Sequence, residues 1–281
     1  MNIVVCTKRD LHGALFLNHL LPRLGAHRVA GVWLSDKTRE AELAVPELAA
    51  LRHLERTLPI DGLFPFIDAL RPETAALAPC ATFAGLARRH GVAIEVVHEV
   101  NGEAARSKLA ALEPDLVLVA RFSHIFDART IALPRFGLLN AHPGQLPEYA
   151  GLQAPLRSVN DGASALCCSV HWIVPGIDAG PLLAQHWQPL DRRRPLLDQV
   201  GELYPLATPT LLQVAAECQA GRRPPGTEQD FSRRRYRSMP GPEEFETLRR
   251  LGQPLWTEAG YRDELALFTP PGVALPAMTL P

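Results

Sequence analysis

No CxxC pair occurs among the five cysteines (Cys6, Cys80, Cys167, Cys168 and Cys218), and their number is odd. That excludes a disulfide framework and a thiolate zinc site, and leaves buried free thiols in a reducing compartment as the expectation. An excess of one charge is also missing: 29 Lys and Arg stand against 30 Asp and Glu, a net charge of −1 over 281 residues. Tight binding of a polyanion needs a clear basic excess, so no nucleic-acid partner is expected. No apolar run approaches the roughly 18 residues of a membrane span. The start, MNIVVCTKRDLHG, turns charged too early for a secretory signal. A cytoplasmic location follows as an expectation, with no membrane partner.

What is present suits a globular chain: hydrophobic residues make up 47%, enough for a substantial core, and 26 prolines promise many irregular loops. Residues 2–6 read as a buried strand and 28–34 as a second. Between them, apolar residues at 11, 14, 15, 17, 20, 21 and 24 mark one face of a helix stopped by Gly25. A helix over 83–90 ended by Gly91, a strand over 93–97, a helix over 102–112 and a strand over 115–120 continue the rhythm. Alternating strands and helices predict a Rossmann-like α/β fold, a mostly parallel twisted sheet with flanking helices and ligands at the carboxyl ends of the strands.

Two regions break that rhythm. Residues 36–80 hold a helical pattern around 46–57 and then a turn-rich stretch, LPIDGLFPF, and read as an insertion or lid. After Pro134 the runs 165–174 and 182–188, joined by PGIDAGP, read as an antiparallel pair. A short helix is expected at 152–160, and Thr208-Pro209 is placed to start a helix reaching Gln219. Residues 220–241 read as an irregular linker, 242–251 as a short helix, and the last dozen residues as a surface tail. The expected organisation is a catalytic unit over 1–200 and a helical, irregular extension, partly mixed in structure, over 201–281.

The chemistry concentrates in NAHPGQLPEYAG (140–151) and GIDAGP (176–181). Asn140 and His142 are two positions apart after a strand, so extended backbone points both side chains the same way. A carboxamide beside an imidazole supplies donors for an oxygen gaining negative charge. Asp178, held between two strands, can favour the imidazolium or accept a proton. By residue type alone the same three also serve as turn formers. As a metal site, one His and one Asp are too few ligands.

The stretch 136–181 resembles the signature of the folate-dependent formyltransferases: Asn-x-His-Pro-Ser-x-Leu-Pro, then a Gly, then a distant Asp-x-Gly. It is carried here by Asn140, His142, Pro143, Leu146, Pro147, Gly151, Asp178 and Gly180, with Gly144 standing where the family usually has Ser. The resemblance implies 10-formyltetrahydrofolate as co-substrate, no metal, and a small-molecule amine as partner. It implies Asn140 and His142 at the tetrahedral intermediate, and Asp178 orienting His142 and taking the amine proton. It also implies pterin recognition, largely by main chain, in two loops: Phe122, Ser123, His124 and Ile125, then Val174, Pro175, Gly176 and Ile177. Tyr149 and His171 are candidates for the acceptor side.

The family's glycinamide ribonucleotide enzymes carry a Gly/Ser-rich phosphate loop after the first strand; here the chain reads CTKRDLHG, which argues against that acceptor. The methionyl-tRNA enzymes carry a C-terminal barrel, and the helical tail argues against that one. N5-hydroxyornithine, as used in siderophore biosynthesis, is the expected acceptor class. A nucleotide-linked amino sugar and hydrolytic deformylation are the alternatives. The clusters Arg192–Arg194 and SRRRYRS (232–238) read as solvated surface or as anion-binding groups.

Overall fold

The computed structural model describes residues 1–281. Nine strands form: β1 (Asn2–Lys8), β2 (Arg28–Ser35), β3 (Ile94–Val97), β4 (Leu116–Ala120), β5 (Leu138–His142), β6 (Ala150–Gly151), β7 (Ala165–Trp172), β8 (Leu182–Pro189) and β9 (Tyr236–Arg237). Seven make one sheet in the order β3-β2-β1-β4-β5-β7-β8, and β6 pairs β9 apart from it. The strands β1 to β5 are mutually parallel; β7 and β8 run antiparallel at one end. β4 is buried at every residue, because a parallel strand covered on both faces is apolar throughout rather than alternating.

The sheet's faces are covered unequally. One face carries a cluster of 47 buried residues, the other only 10, centred on Val4, Cys6, Trp33 and Val117. The thick side holds the helix Leu11–Leu20, the segment after β2 and the long helix Leu196–Gln219. Asp10 caps the first of these, its Oδ1 accepting from Gly13 N at 2.7 Å. Gly91 ends the helix Phe83–His90 in the left-handed region at φ 61°.

Three expectations fail here. The stretch LPIDGLFPF is helical and not a turn. After the helix Pro46–Arg52 the chain winds on as a wide i→i+5 helix over His53–Leu63, with Pro59 inside it, and then as Phe64–Asp68. Leu54, Ile60, Leu63, Phe64 and Ile67 bury into the main core, and that burial outweighs the local turn signals of Pro and Asp-Gly.

The helix expected to start at Thr208 starts at Leu196, runs through both Pro205 and Pro209, and crosses the boundary expected at residue 200. A mid-helix proline costs about 3 kcal/mol. Burial of Leu203, Tyr204, Leu211 and Val214, each worth roughly 1.5–3 kcal/mol, outweighs two of them.

The chain's end is not a free tail. Leu275, Met278 and Leu280 pack on the core, and the Thr279 carbonyl lies 2.9 Å from His53 Nε2. A helix at Glu258–Ala266, which carries no strong sequence signal, sets Tyr261 and Leu265 into the same core.

Candidate active site

A cavity of about 900 Å³ opens at the carboxyl ends of the parallel strands, lined by residues following β1, β2, β3, β4 and β5. Asn140, His142 and Asp178 all line it. The first two come from the end of β5; Asp178 comes from the β7–β8 connection, which the antiparallel pairing of Asn140 with His171 brings alongside.

The three groups are held in a defined order. The Asp178 carboxylate accepts from Gly151 N through Oδ2 at 2.8 Å. Its Oδ1 stands 3.6 Å from His142 Nδ1 and 3.8 Å from His171 Nε2, so one carboxylate oxygen sits between two imidazoles. The other His142 nitrogen, Nε2, is 2.8 Å from the Tyr149 carbonyl. A carbonyl only accepts, so Nε2 carries the proton and Nδ1 is the atom turned to Asp178. Asn140 Nδ2 lies 3.1 Å from His171 Nε2. His171 Nδ1 is spoken for by the Trp172 carbonyl at 2.9 Å. Burial pulls the His171 imidazole down to about 4, against the upward pull of the Asp178 charge, so it is neutral in the cavity.

Backbone constraints explain the glycines of the motif. Gly151 has φ 97°, and a Cβ there would lie 2.2 Å from the Arg237 carbonyl. A Cβ at Gly180 would lie 1.8 Å from the Trp172 carbonyl. Gly144, the departure from the family pattern, has its own reason. A Cβ there would meet Ala154 Cβ at 2.6 Å, His142 Nε2 at 2.8 Å and the Tyr149 carbonyl at 2.9 Å. The contact between His142 and Tyr149 thus occupies the space a serine would need.

Of the residues expected at the pterin loops, Phe122, Ser123, His124, Ile125, Val174, Gly176 and Ile177 line the cavity, and Pro175 does not. Phe122 stacks on Phe126, centroids 5.5 Å apart, making an aromatic wall. Tyr149 needs correction. Its ring does not line the cavity, because the phenol turns to Asp161, and the residue serves the site through its carbonyl. His171 does line it, almost fully buried.

Sequence reading missed the groups that brace the site from the last third of the chain. Gln229 donates to the Asp178 and Gly180 carbonyls at 3.0 and 2.7 Å. Arg234, inside the basic run read as solvated surface or as anion-binding groups, donates to the carbonyls of Ile177 and Asp178. Only contacts some fifty residues apart in sequence reveal these roles.

Comparison with known proteins rests on this geometry. The model of the formyl transferase family matches residues 85–195, the segment that holds all three central side chains. That segment is similar to the formyl transferase domain. A methionyl-tRNA formyltransferase of Thermotoga maritima is 28% identical over 200 residues, 70% of this chain and 63% of the relative. One of Aromatoleum aromaticum is 34% identical over 105 residues, 37% of this chain and 33% of the relative. The match therefore spans between one third and just under two thirds of the length of these relatives. The fold is that of the phosphoribosylglycinamide formyltransferase of Anaplasma phagocytophilum: TM-score 0.54 at 16% identity, over 78% of this chain and 88% of that one.

Proposed function

We propose that the protein transfers the formyl group of 10-formyltetrahydrofolate to the nitrogen of a small amine or hydroxylamine. The observation that carries this reading is the convergence of Asn140, His142 and Asp178, 38 residues apart at the extremes, on one solvent-open cavity. The aromatic and aliphatic wall of Phe122, Phe126, Ile173 and Val174 suits a flat heterocycle.

Each group then has a task. The amine nitrogen attacks the formyl carbon, and the carbonyl oxygen becomes an oxyanion. Asn140 Nδ2 has two hydrogens: one goes to His171, and the second remains for that oxygen. His142 Nδ1 and Asp178 Oδ1 face each other across 3.6 Å, a separation that a shared proton or a bridging water closes. This pair takes the proton of the attacking nitrogen and returns it to the folate nitrogen, so that the C–N bond to the carrier breaks as the new amide forms. His142 Nε2 reaches the oxyanion by exchanging its contact with the Tyr149 carbonyl, a tightening common on substrate binding.

As acceptor we favour an amino acid with a side-chain hydroxylamine, such as N5-hydroxyornithine in siderophore biosynthesis. A nucleotide-linked amino sugar, a deformylase using water and, given the relatives, methionyl-tRNA are the competing outcomes of one assay. The protein is incubated with 10-formyltetrahydrofolate and each acceptor in turn, and with none. N5-formylation followed by mass spectrometry supports the reading, and folate release without any acceptor transfers it to hydrolysis. His142→Ala is expected to lose roughly 10²–10³ in rate; full activity in that variant sinks the mechanism.

A further inference from the structure

A helix N-terminus after a first strand is a ready site for an anion, because its free N–H groups point outward. In this chain that place is filled from within. Asp10, wholly buried, puts Oδ1 on Gly13 N and Oδ2 on Arg121 Nη2 at 2.6 Å. Arg121 in turn holds Glu55 at 2.7 Å, and Glu55 also faces His12 at 3.3 Å. Both carboxylates of this cluster are committed, and an incoming anion would meet a buried negative charge. Nothing anionic on a substrate can be seated there.

The positive charge of the cavity lies elsewhere. Lys8, at the end of β1, and Arg39, in the segment after β2, share the single buried carboxylate of Glu42, at 4.0 and 3.5 Å. Arg52, at the end of the helix Pro46–Arg52, lines the same cavity with no carboxylate in ion-pair range, and its Nε is buried without a hydrogen-bond partner. The other acids on that side are occupied: Asp36 faces His98 at 3.2 Å, Glu55 holds Arg121, and Glu99 accepts from Gly102 N at 2.5 Å. Behind this wall Arg56 is buried with only the Thr38 hydroxyl, 2.8 Å away, as partner. A half-buried set of cations facing one carboxylate, with an unmet guanidinium donor, carries an electrostatic cost that an arriving anion removes.

We propose that Lys8, Arg39 and Arg52 form an anion subsite that holds a carboxylate or phosphate of the amine acceptor. The segment after β2 is thus the part of the chain that selects the acceptor. This rests on the formyl-transfer reading, and it goes beyond it by naming which end of the acceptor is gripped and by what.

Calorimetric titration of the full chain, saturated with the unreactive 5-formyltetrahydrofolate, separates the two. The probes are L-ornithine, its carboxylate-free counterpart 1,4-diaminobutane, and a nucleoside diphosphate. We expect one of the two anionic probes to bind, and which one tells carboxylate from phosphate. The diamine should bind at least tenfold more weakly than an ornithine ligand. Arg52→Ala should weaken the anionic probe at least tenfold while changing 5-formyltetrahydrofolate affinity less than twofold. Arg39→Gln, at a more exposed position, replaces it where Arg52→Ala fails to fold.

Where ornithine binds, equal binding of the diamine overturns the proposal, and so does the absence of binding by both anions. Loss confined to the folate would assign the cations to its glutamate tail, which also overturns it. A wild-type chain that does not bind 5-formyltetrahydrofolate sinks the formyl-transfer reading instead, whatever the anions do.

Discussion

His171 fixes the orientation of Asn140. Its Nδ1–H is given to the Trp172 carbonyl at 2.9 Å, so its Nε2, 3.1 Å from Asn140 Nδ2, has only a lone pair to offer. The carboxamide must therefore present its NH₂ to His171, with the second hydrogen and the oxygen fixed in consequence. Burial keeps the ring neutral, with its value brought down to about 4, and this is what preserves the lone pair at neutral pH.

From this we predict that His171→Leu lowers the turnover number of formyl transfer roughly 10- to 100-fold, the cost of a misdirected donor, with a much smaller change in KM for the folate. His171→Gln offers an acceptor oxygen to Asn140 and should recover part of the loss. Steady-state kinetics of both variants check this. Equal rates for Leu and Gln would reduce His171 to a packing residue.

Gly144→Ser restores the residue usual in the family and should damage this protein. The new Cβ falls 2.8 Å from His142 Nε2 and 2.6 Å from Ala154 Cβ, and the loop is closed on both sides. Overpacking of this kind costs about 1–3 kcal/mol. Urea unfolding of wild type and variant measures it, and the rate of formyl transfer should fall as the His142 ring is displaced. Unchanged stability and rate would show that the loop relaxes freely.

A third prediction concerns pH. His12, fully buried, has Glu55 at 3.3 Å on one side and Glu264 at 3.4 Å on the other. Burial alone would lower the imidazole, but Glu264 and Glu55 outweigh it, against a downward push from Arg121, and raise it to about 9. The folded value lies above the unfolded one, so the stabilisation is complete below about pH 6.5 and is lost as pH rises through 9.

Its size is on the order of 3 kcal/mol. Asp198, near Glu264, is raised by burial and by that charge to about 6; its own contribution changes below neutral pH, outside this window. Urea denaturation at pH 6.5 and pH 9.5 should show wild type losing more stability across the interval than His12→Gln does. Identical pH slopes would refute the charged state of His12.

The sequence made the central side chains readable because their signal is local. Two positions of one strand and a Gly-flanked Asp carry it, and Gly151 and Gly180 stand where close backbone approach tolerates no Cβ. The strands β1, β2 and β4 were readable because parallel, doubly covered strands are short apolar runs.

What was not readable depends on tertiary burial. Pro59 and Asp61-Gly62 spell a turn, yet they sit in a helix held by Leu54 and Ile60 below it. Pro205 and Pro209 announce helix starts, yet both lie inside one. The cluster of Asp10, His12, Glu55, Arg121 and Glu264 joins four separate parts of the chain, and no spacing announces it.

The grip of Gln229 and Arg234 on the carbonyls around Asp178 has a practical consequence for protein engineering. A chimera that splices the first 200 residues onto another protein's ending would inherit every motif a sequence search recognises, while discarding the clamp on the backbone that carries Asp178. Transplants of specificity in this scaffold must therefore carry the 229–237 stretch along with the cavity they mean to alter.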